Sequence, residues 1–240
     1  IKKYIIARIE KRSPDEISGR MKKDKESFYV CKDAIYKWLY SVYGQQYCKY
    51  LCSKRHKRKK QKRSGKREMI PNRVPLAERP INGEHFEGDL FVSPSKLGTT
   101  VSGAIMVAPS AQLLLGQIIE NRKPQIMMNT VNKIIRKIHL KDFDITVDNG
   151  VENKGHEKWK VSAYFANPHS PWQKPNVENN IGLLRRWFLP KGTDLREVSN
   201  EMLQGYLHSL NGKYRKSLGY RSAYEVALEM GIIKKMPTLD

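Results

Sequence analysis

Acidic residues are scarce in this chain, and long apolar runs are absent. Only 24 of its 240 residues are Asp or Glu against 45 Lys or Arg, a formal net charge of +21 at pH 7. That imbalance argues against a cationic partner and predicts an anionic one. No apolar stretch approaches the roughly 20 residues of a membrane-crossing helix, and the mean hydropathy of −0.64 fits a chain that folds in water. Cysteine is sparse too. Three residues without framework spacing point away from a disulfide scaffold and toward a reducing compartment. The start, Ile1-Lys2-Lys3-Tyr4, shows neither a long apolar segment nor a cleavage site. It begins without Met inside a helix-like segment, so a fragment of a longer chain is expected. The length suffices to bury a real core, in one large or two smaller domains.

Residues 1–52 read as a small all-α domain. Ser13-Pro14-Asp15-Glu16 combines an N-cap Ser, Pro at the first helical position and Glu at the third. After the polar break at 22–27, a second helix is expected over Lys32 to Ser41, with Ile35, Trp38 and Leu39 in apolar register. This is a helix-turn-helix pattern, whose second helix enters a major groove. Lys32, Tyr36 and Lys37 lie on its exposed side and are candidate DNA contacts. An ordinary helical hairpin is the competing explanation.

Residues 53–82 read as a basic linker. Ten of the fourteen residues from Lys54 to Arg67 are Lys or Arg, with no acid among them. Such a run cannot pack. Lys54, Arg55, Lys57, Arg58, Lys59 and Lys60 are expected to grip phosphates and add salt-sensitive affinity without reading sequence.

From residue 83 the pattern becomes strand-rich. Strands are expected over Phe86 to Val92, Thr99 to Val107, Gln112 to Ile119, Phe143 to Val147 and Ala163 to Phe165, with a helix over Pro124 to Ile138. Three meandering strands, a helix, a strand and further helices give an α/β fold with a mixed sheet flanked by helices. The ends of the first and fourth strands can then lie side by side.

Three acids stand out against this background. Asp89 sits in or at the end of the first strand and Asp148 follows the fourth. Glu178 is in the first turn of a helix whose Val177, Ile181, Leu184 and Phe188 form one apolar stripe. Gly182 and Arg185 share its side of the helix, Gly182 leaving room for close approach and Arg185 able to meet a phosphate. Converging carboxylates suit a pair of hard divalent cations, Mg²⁺ or Mn²⁺, about 3.5–4 Å apart. Any one acid alone is better explained as a cap or as a partner for one of the many cations.

The setting of these acids resembles a known family. Pro71-Asn72-Arg73, Glu78-Arg79-Pro80 and His85-Phe86-Glu87-Gly88-Asp89 are similar to the entry into the catalytic domain of insertion-sequence transposases of the IS-thirty (IS30) family. So are Thr146-Val147-Asp148-Asn149-Gly150, Tyr164-Phe165-Ala166-Asn167-Pro168-His169 and Asn176-Val177-Glu178-Asn179-Asn180. The similarity is collinear over nearly the whole chain. It departs at Phe86, where Trp is usual, at Lys174-Pro175, where Arg-Gly is usual, and in a shortened interval between Asp148 and Glu178.

The resemblance implies a ribonuclease-H-like integrase core over residues 83–240, closed by basic C-terminal helices and carrying the acidic triad Asp89, Asp148 and Glu178. It implies Mg²⁺, with Mn²⁺ as substitute, and double-stranded DNA partners: the terminal inverted repeats of a mobile element and a target. A homodimer or larger assembly on DNA and a cytoplasmic, nucleoid-associated setting in a bacterium follow as expectations. Arg73, Trp172, Arg185 and Lys216 join the candidate DNA contacts, Trp172 by stacking on an unpaired base and Lys216 within a basic surface with Lys213, Arg215 and Arg221. The alternatives are a DNA-binding regulator that keeps the fold without catalysis, and a nuclease that cuts without joining. Cys48, Cys52 and His56, spaced by four, are a minor zinc candidate with Cys31.

Overall fold

The computed structural model describes residues 1–51, 69–81, 83–168 and 170–236. In chain order the helices α1 (Lys2–Ile9), α2 (Pro14–Lys23) and α3 (Lys32–Leu39) come first. Then follow β1 (Val74–Pro75), β2 (Glu84–Val92), β3 (Ser102–Ala108), β4 (Leu113–Ile119), α4 (Pro124–Ile135), β5 (Phe143–Val147) and β6 (Ser162–Phe165). The chain closes with α5 (Pro175–Trp187), α6 (Asn200–Asn211), β7 (Tyr214–Arg215), β8 (Arg221–Ser222) and α7 (Ala223–Glu229). These elements form two compact units. One holds the amino-terminal helices with residues 212–226, the other residues 69–211 with the segment after 226.

In the first unit, α2 starts as its sequence dictates. Glu16 N–H donates to Ser13 Oγ at 3.3 Å and Ser13 N–H donates to Glu16 Oε1 at 3.2 Å, a reciprocal capping box. Ile5, Ile9, Ile17, Met21, Ile35 and Leu39 form the core between α1, α2 and α3. The β7–β8 hairpin belongs to this unit, whereas the sequence reading runs the catalytic domain through residue 240. The reason lies in contacts between residues about 200 positions apart. The Tyr214 ring lies under the guanidinium groups of both Arg12 and Arg20, at 4.2 and 4.1 Å. Tyr214 N–H donates to Glu16 Oε2 at 3.3 Å. Arg215 turns inward with the hairpin, and burial lowers its pKa to about 10 against the pull of Glu16. It is therefore not part of the basic surface expected around Lys216, which is exposed.

Gly19 of α2 is a close approach. A methyl group there would overlap the ring of Tyr220, a residue held in the left-handed region at φ 60°.

The second unit is a six-stranded sheet in the order β1-β6-β5-β2-β3-β4. β2, β3 and β4 form an antiparallel meander, while β5 lies parallel to β2 and β6 parallel to β5. The result is a mixed sheet flanked by helices, as the sequence predicts, with the first long strand, β2, between β5 and β3. β3 is buried at every residue, as a strand covered on both faces must be. On one face Phe91, Ile105, Val107 and Leu114 pack with Val177 and Leu184 of α5 and Leu203, Leu207 and Leu210 of α6. α4 packs against β4 and the 3-10 stretch Val151–Lys158, burying Met127, Val131, Ile134 and Ile135.

β4 is an edge strand, and α6 seals it with side chains. Leu114 N–H donates to Asn211 Oδ1 and Asn211 Nδ2 donates to Leu114 O, both at 2.8 Å. Ile118 N–H donates to Asn200 Oδ1 at 2.8 Å, and Gln204 Nε2 donates to Gly116 O at 2.9 Å. Residues 200, 204 and 211 stand on one stripe of α6, so the helix occupies the outward groups that an open edge offers to another strand.

Three outcomes are expected. Asn211→Leu strips partners from two backbone groups of Leu114, costing about 1–3 kcal/mol for each group left unpaired; urea unfolding measures it. Gly19→Ala sets two effects against each other. Helix propensity favours Ala by ~1 kcal/mol, but overpacking against Tyr220 costs about 1–3 kcal/mol, so a lowered melting temperature is expected. The third concerns Asp144, beside His85 in the β2–β5 register, whose buried Oδ1 lacks a hydrogen-bond partner. Burial raises its pKa above the ordinary 3.8, against the pull of Arg79 and His85 and with a push from Glu84. Folding thus favours the protonated acid, and its contribution to stability is lost as pH rises through the raised value. Asp144→Asn is expected to be more stable than the parent at pH 7 and to lose that advantage below 3.8, as read from unfolding curves across pH.

Candidate active site

The pairing of β2 with β5 decides where the acids meet. The parallel register runs from Glu84↔Phe143 to Glu87↔Thr146. Carried on by two residues, it sets Asp89, within β2, level with Asp148, just past the end of β5, and on one face. The two interact electrostatically. The pKa of Asp89 is raised above its ordinary value by burial first, with Lys174 pulling it down and Asp148 pushing it up. A half-desolvated carboxylate beside a second one is stable only with positive charge nearby.

Each aspartate is also held in place. Asp89 Oδ1 accepts from Leu90 N–H at 2.8 Å, and its Oδ2 faces Lys174 Nζ at 3.6 Å. Lys174 is itself buried and donates to Gly88 O at 3.0 Å. Asp148 Oδ1 accepts from Gly150 N–H at 3.2 Å and from Asn153 Nδ2 at 3.3 Å; the same amide donates to Asp148 O at 3.0 Å. Asn153, almost fully buried, thus fixes both the backbone and the carboxylate of Asp148. Glu152 joins the group. Its pKa is raised by burial first; its own N–H and Arg122 pull it down, while Asp148 and Asp89 push it up.

Glu178 occupies the first turn of α5 with its side chain exposed. Among the described residues, no three His, Cys, Asp or Glu side chains stand close enough together to hold a metal ion. Asp89 and Asp148 act on each other and on Glu152 electrostatically, and Glu178 stands exposed on α5. The Asp89–Asp148 pair still fits a hard divalent cation, because its oxygens are the right donors and its mutual repulsion is what a cation relieves.

The helix bearing Glu178 is docked onto β2. Val177 N–H and Asn176 Nδ2 donate to the two carboxylate oxygens of Glu87, each at 2.7 Å. Sequence reasoning named Glu87 and Lys174 only as a neighbour and as a departure from a motif, and did not reach Asn153. One signal was available: Glu87 and Asp89 alternate on a strand, so both point to the face that α5 covers.

The remaining candidates are scattered. Trp172 is 72% exposed on the 3-10 turn before α5. Nothing lies within 4 Å of the place a Cβ would take at Gly182. Arg185 lies over the Phe91 ring and its Nη2 donates to Val92 O at 3.4 Å. Arg73 has a buried Nη1 without a hydrogen-bond partner. In the first unit Lys37 is exposed, Lys32 pairs with Asp15 at 3.7 Å, and Tyr36 stacks on Tyr40. Lys54, Arg55, Lys57, Arg58, Lys59, Lys60, Cys52, His56 and His169 lie outside the described residues. Cys48 turns its Sγ toward Leu39 O at 3.1 Å. No helix among the described residues is long and apolar enough to cross a membrane.

No family model matches the chain. It is 30% identical, over 92% of its own length and 70% of the relative's, to the transposase for insertion sequence element IS1086 of Cupriavidus metallidurans. It is 28% identical to the transposase InsI for insertion sequence element IS30A of Escherichia coli, over 97% of this chain and 65% of that one. Among solved structures it is similar to the catalytic core domain of the BIV integrase, with 18% identity and a TM-score of 0.45, over 61% of this chain and 94% of that chain. With relatives matched along nearly its whole length, the chain belongs to the IS30 family of insertion-sequence transposases.

Proposed function

We propose that the chain binds the terminal inverted repeats of its mobile element and cuts and rejoins DNA strands with Asp89, Asp148 and Glu178 as its acidic triad. One observation carries the reading: two carboxylates set side by side where β2 and β5 run parallel in a chain of net charge +21. A structural role would pair each acid with one of the abundant cations. Here Asp89 has Lys174, and a like-charged neighbour opposes it.

Asp89 and Asp148 would hold Mg²⁺, or Mn²⁺ in its place, with Glu178 completing the set from α5. Bound there, the ion supplies Lewis acidity to the attacking and leaving oxygens of phosphodiester transfer. The protein contributes position. Asn153 orients Asp148, and Lys174 balances part of the charge on Asp89. In the first step water attacks the phosphodiester at the element's end, and the bond from phosphorus to the 3′ oxygen breaks. The freed 3′ hydroxyl then attacks a target phosphodiester; one P–O bond forms as another breaks, so no outside energy source is needed. Open space at Gly182 lets the backbone of a strand approach α5, Arg185 meets a phosphate there, and Trp172 stacks on an unpaired base. The helix pair α2–α3 reads the repeat, with Lys32, Tyr36 and Lys37 along α3, and the run from Lys54 to Lys60 adds phosphate contacts. Arg73 and Lys216 extend the phosphate contacts. Because two ends must join in one event, the working form is a dimer or larger assembly on DNA, in the bacterial cytoplasm at the nucleoid.

Mg²⁺-dependent assays on DNA carrying the element's ends test this. Asp89→Ala, Asp148→Ala and Glu178→Ala are each expected to lower strand cleavage by at least ~10³-fold, with DNA affinity held within a few-fold. Cleavage at the parental rate by any one of them removes that residue from the triad. An unsubstituted chain that binds but never cuts is a regulator, and one that cuts without joined product is a nuclease.

A further inference from the structure

α5 begins without a cap of its own. Its N-cap residue, Lys174, makes no side-chain cap bond, and Pro175 holds the first helical position. The N–H of the third helical residue, Val177, is one that a capping side chain ordinarily takes. Its acceptor comes from another element. Glu87 of β2, 3% exposed, accepts from Val177 N–H through Oε2 and from Asn176 Nδ2 through Oε1, both at 2.7 Å. Asn176 is in turn tied to the next turn, because Asn180 Nδ2 donates to Asn176 O at 2.9 Å.

We propose that Glu87 is a positioning residue for strand transfer: its carboxylate caps α5 from the sheet and fixes the first turn, and with it Glu178, relative to Asp89. A local Ser or Asp at the N-cap would satisfy the same N–H group without desolvating a carboxylate inside the core. What the strand-borne acid adds is registration. Glu87 stands two residues before Asp89 on the same face of β2, and its partner Val177 immediately precedes Glu178. One link between those two acids thus runs through a buried carboxylate and two charge-assisted hydrogen bonds, the short and directional kind. Lys174 makes a second crossing at the same place, from α5 to Gly88 O, so the contact resists sliding as well as lifting. The inference rests on the reading that Glu178 acts with Asp89.

Two substitutions at one position test it. Glu87→Met keeps the volume and removes both acceptors. Glu87→Gln keeps an acceptor for Val177 N–H, and a turned Asn176 amide restores the second bond by accepting from the Gln amide. Single-turnover cleavage of end-containing DNA is expected to fall about 10–100-fold in the Met variant, the scale of a small misplacement, with DNA affinity unchanged. The Gln variant is expected to keep most of the parental rate. Hydrogen exchange at the amides of Val177 and Glu178 is expected to speed up in the Met variant only. A folded Met variant that cleaves at the parental rate overturns the proposal, and so does a Gln variant as slow as Met. If the Met variant does not fold, Asn176→Ala removes one bond from a part-buried position, and an unchanged exchange rate at Val177 and Glu178 there overturns it equally. Glu178→Gln, run alongside, separates the two ideas. Parental cleavage by that variant sinks the triad itself, whereas its loss together with a fully active Glu87→Met sinks only the role of Glu87.

Discussion

The parallel pairing of β5 with β2 is the constraint on which the rest depends. It sets the carboxylate of Asp89, within β2, beside that of Asp148, just past β5, and thereby creates a local electrostatic problem. An unpaired charge at a half-buried position is costly, and a second one beside it raises the cost. The surrounding structure supplies partial answers. Lys174 brings one ammonium to Asp89, Asn153 directs its amide at Asp148, and the turn at Gly150 adds an N–H. None of these neutralises the pair, since the pKa of Asp89 remains raised despite Lys174. Residual unfavourable charge at a precise place supports the proposal that these acids act with a cation.

The large positive charge is handled differently in different places, and the distinction bears on DNA binding. Cations used in folding are recognisable by what they touch. Arg12 and Arg20 sandwich Tyr214, Arg215 is buried deeply enough to lower its pKa, and Lys174 is sealed against Gly88 and Asp89. Removing any of them would disturb the fold before it disturbed affinity. Lys37 and Lys216 are exposed and belong to the population that can exchange counterions for phosphates. A count of Lys and Arg merges these two populations, so the net charge predicts the kind of partner better than it predicts the contact residues.

Much of the fold was legible because it follows from local rules. The Ser13–Glu16 capping box, the apolar stripes of α4 and α5, and the strand runs around Asp89 and Asp148 each need only their own neighbours to be read. The meander followed by a helix and a parallel strand then constrains the sheet order, which is why Asp89 and Asp148 can be placed side by side from sequence. The hairpin at Tyr214 was not legible, because its partners Arg12, Glu16 and Arg20 lie about 200 residues away and no periodicity marks them. The sealing of β4 by Asn200, Gln204 and Asn211 was hidden for a related reason: polar residues on a helix normally signal a solvated face, and here they signal a buried strand edge. Glu178 is the reverse case. Its motif was legible, while its exposed position depends on how the start of α5 is seated.

That seating is where fold and chemistry become one question. A helix held only by apolar packing can slide along a sheet with little loss, since hydrophobic contact is not directional. Val177 and Leu184 give α5 its attachment to the core but leave its position along β2 loosely set. Hydrogen bonds to a buried carboxylate do the opposite, adding little net stability and much geometric definition. Placing Glu87 and Asp89 on one strand, and Val177 and Glu178 side by side on one helix, couples that definition to the acids. The buried carboxylate is therefore better explained by the precision it imposes on α5 than by any contribution it makes to stability.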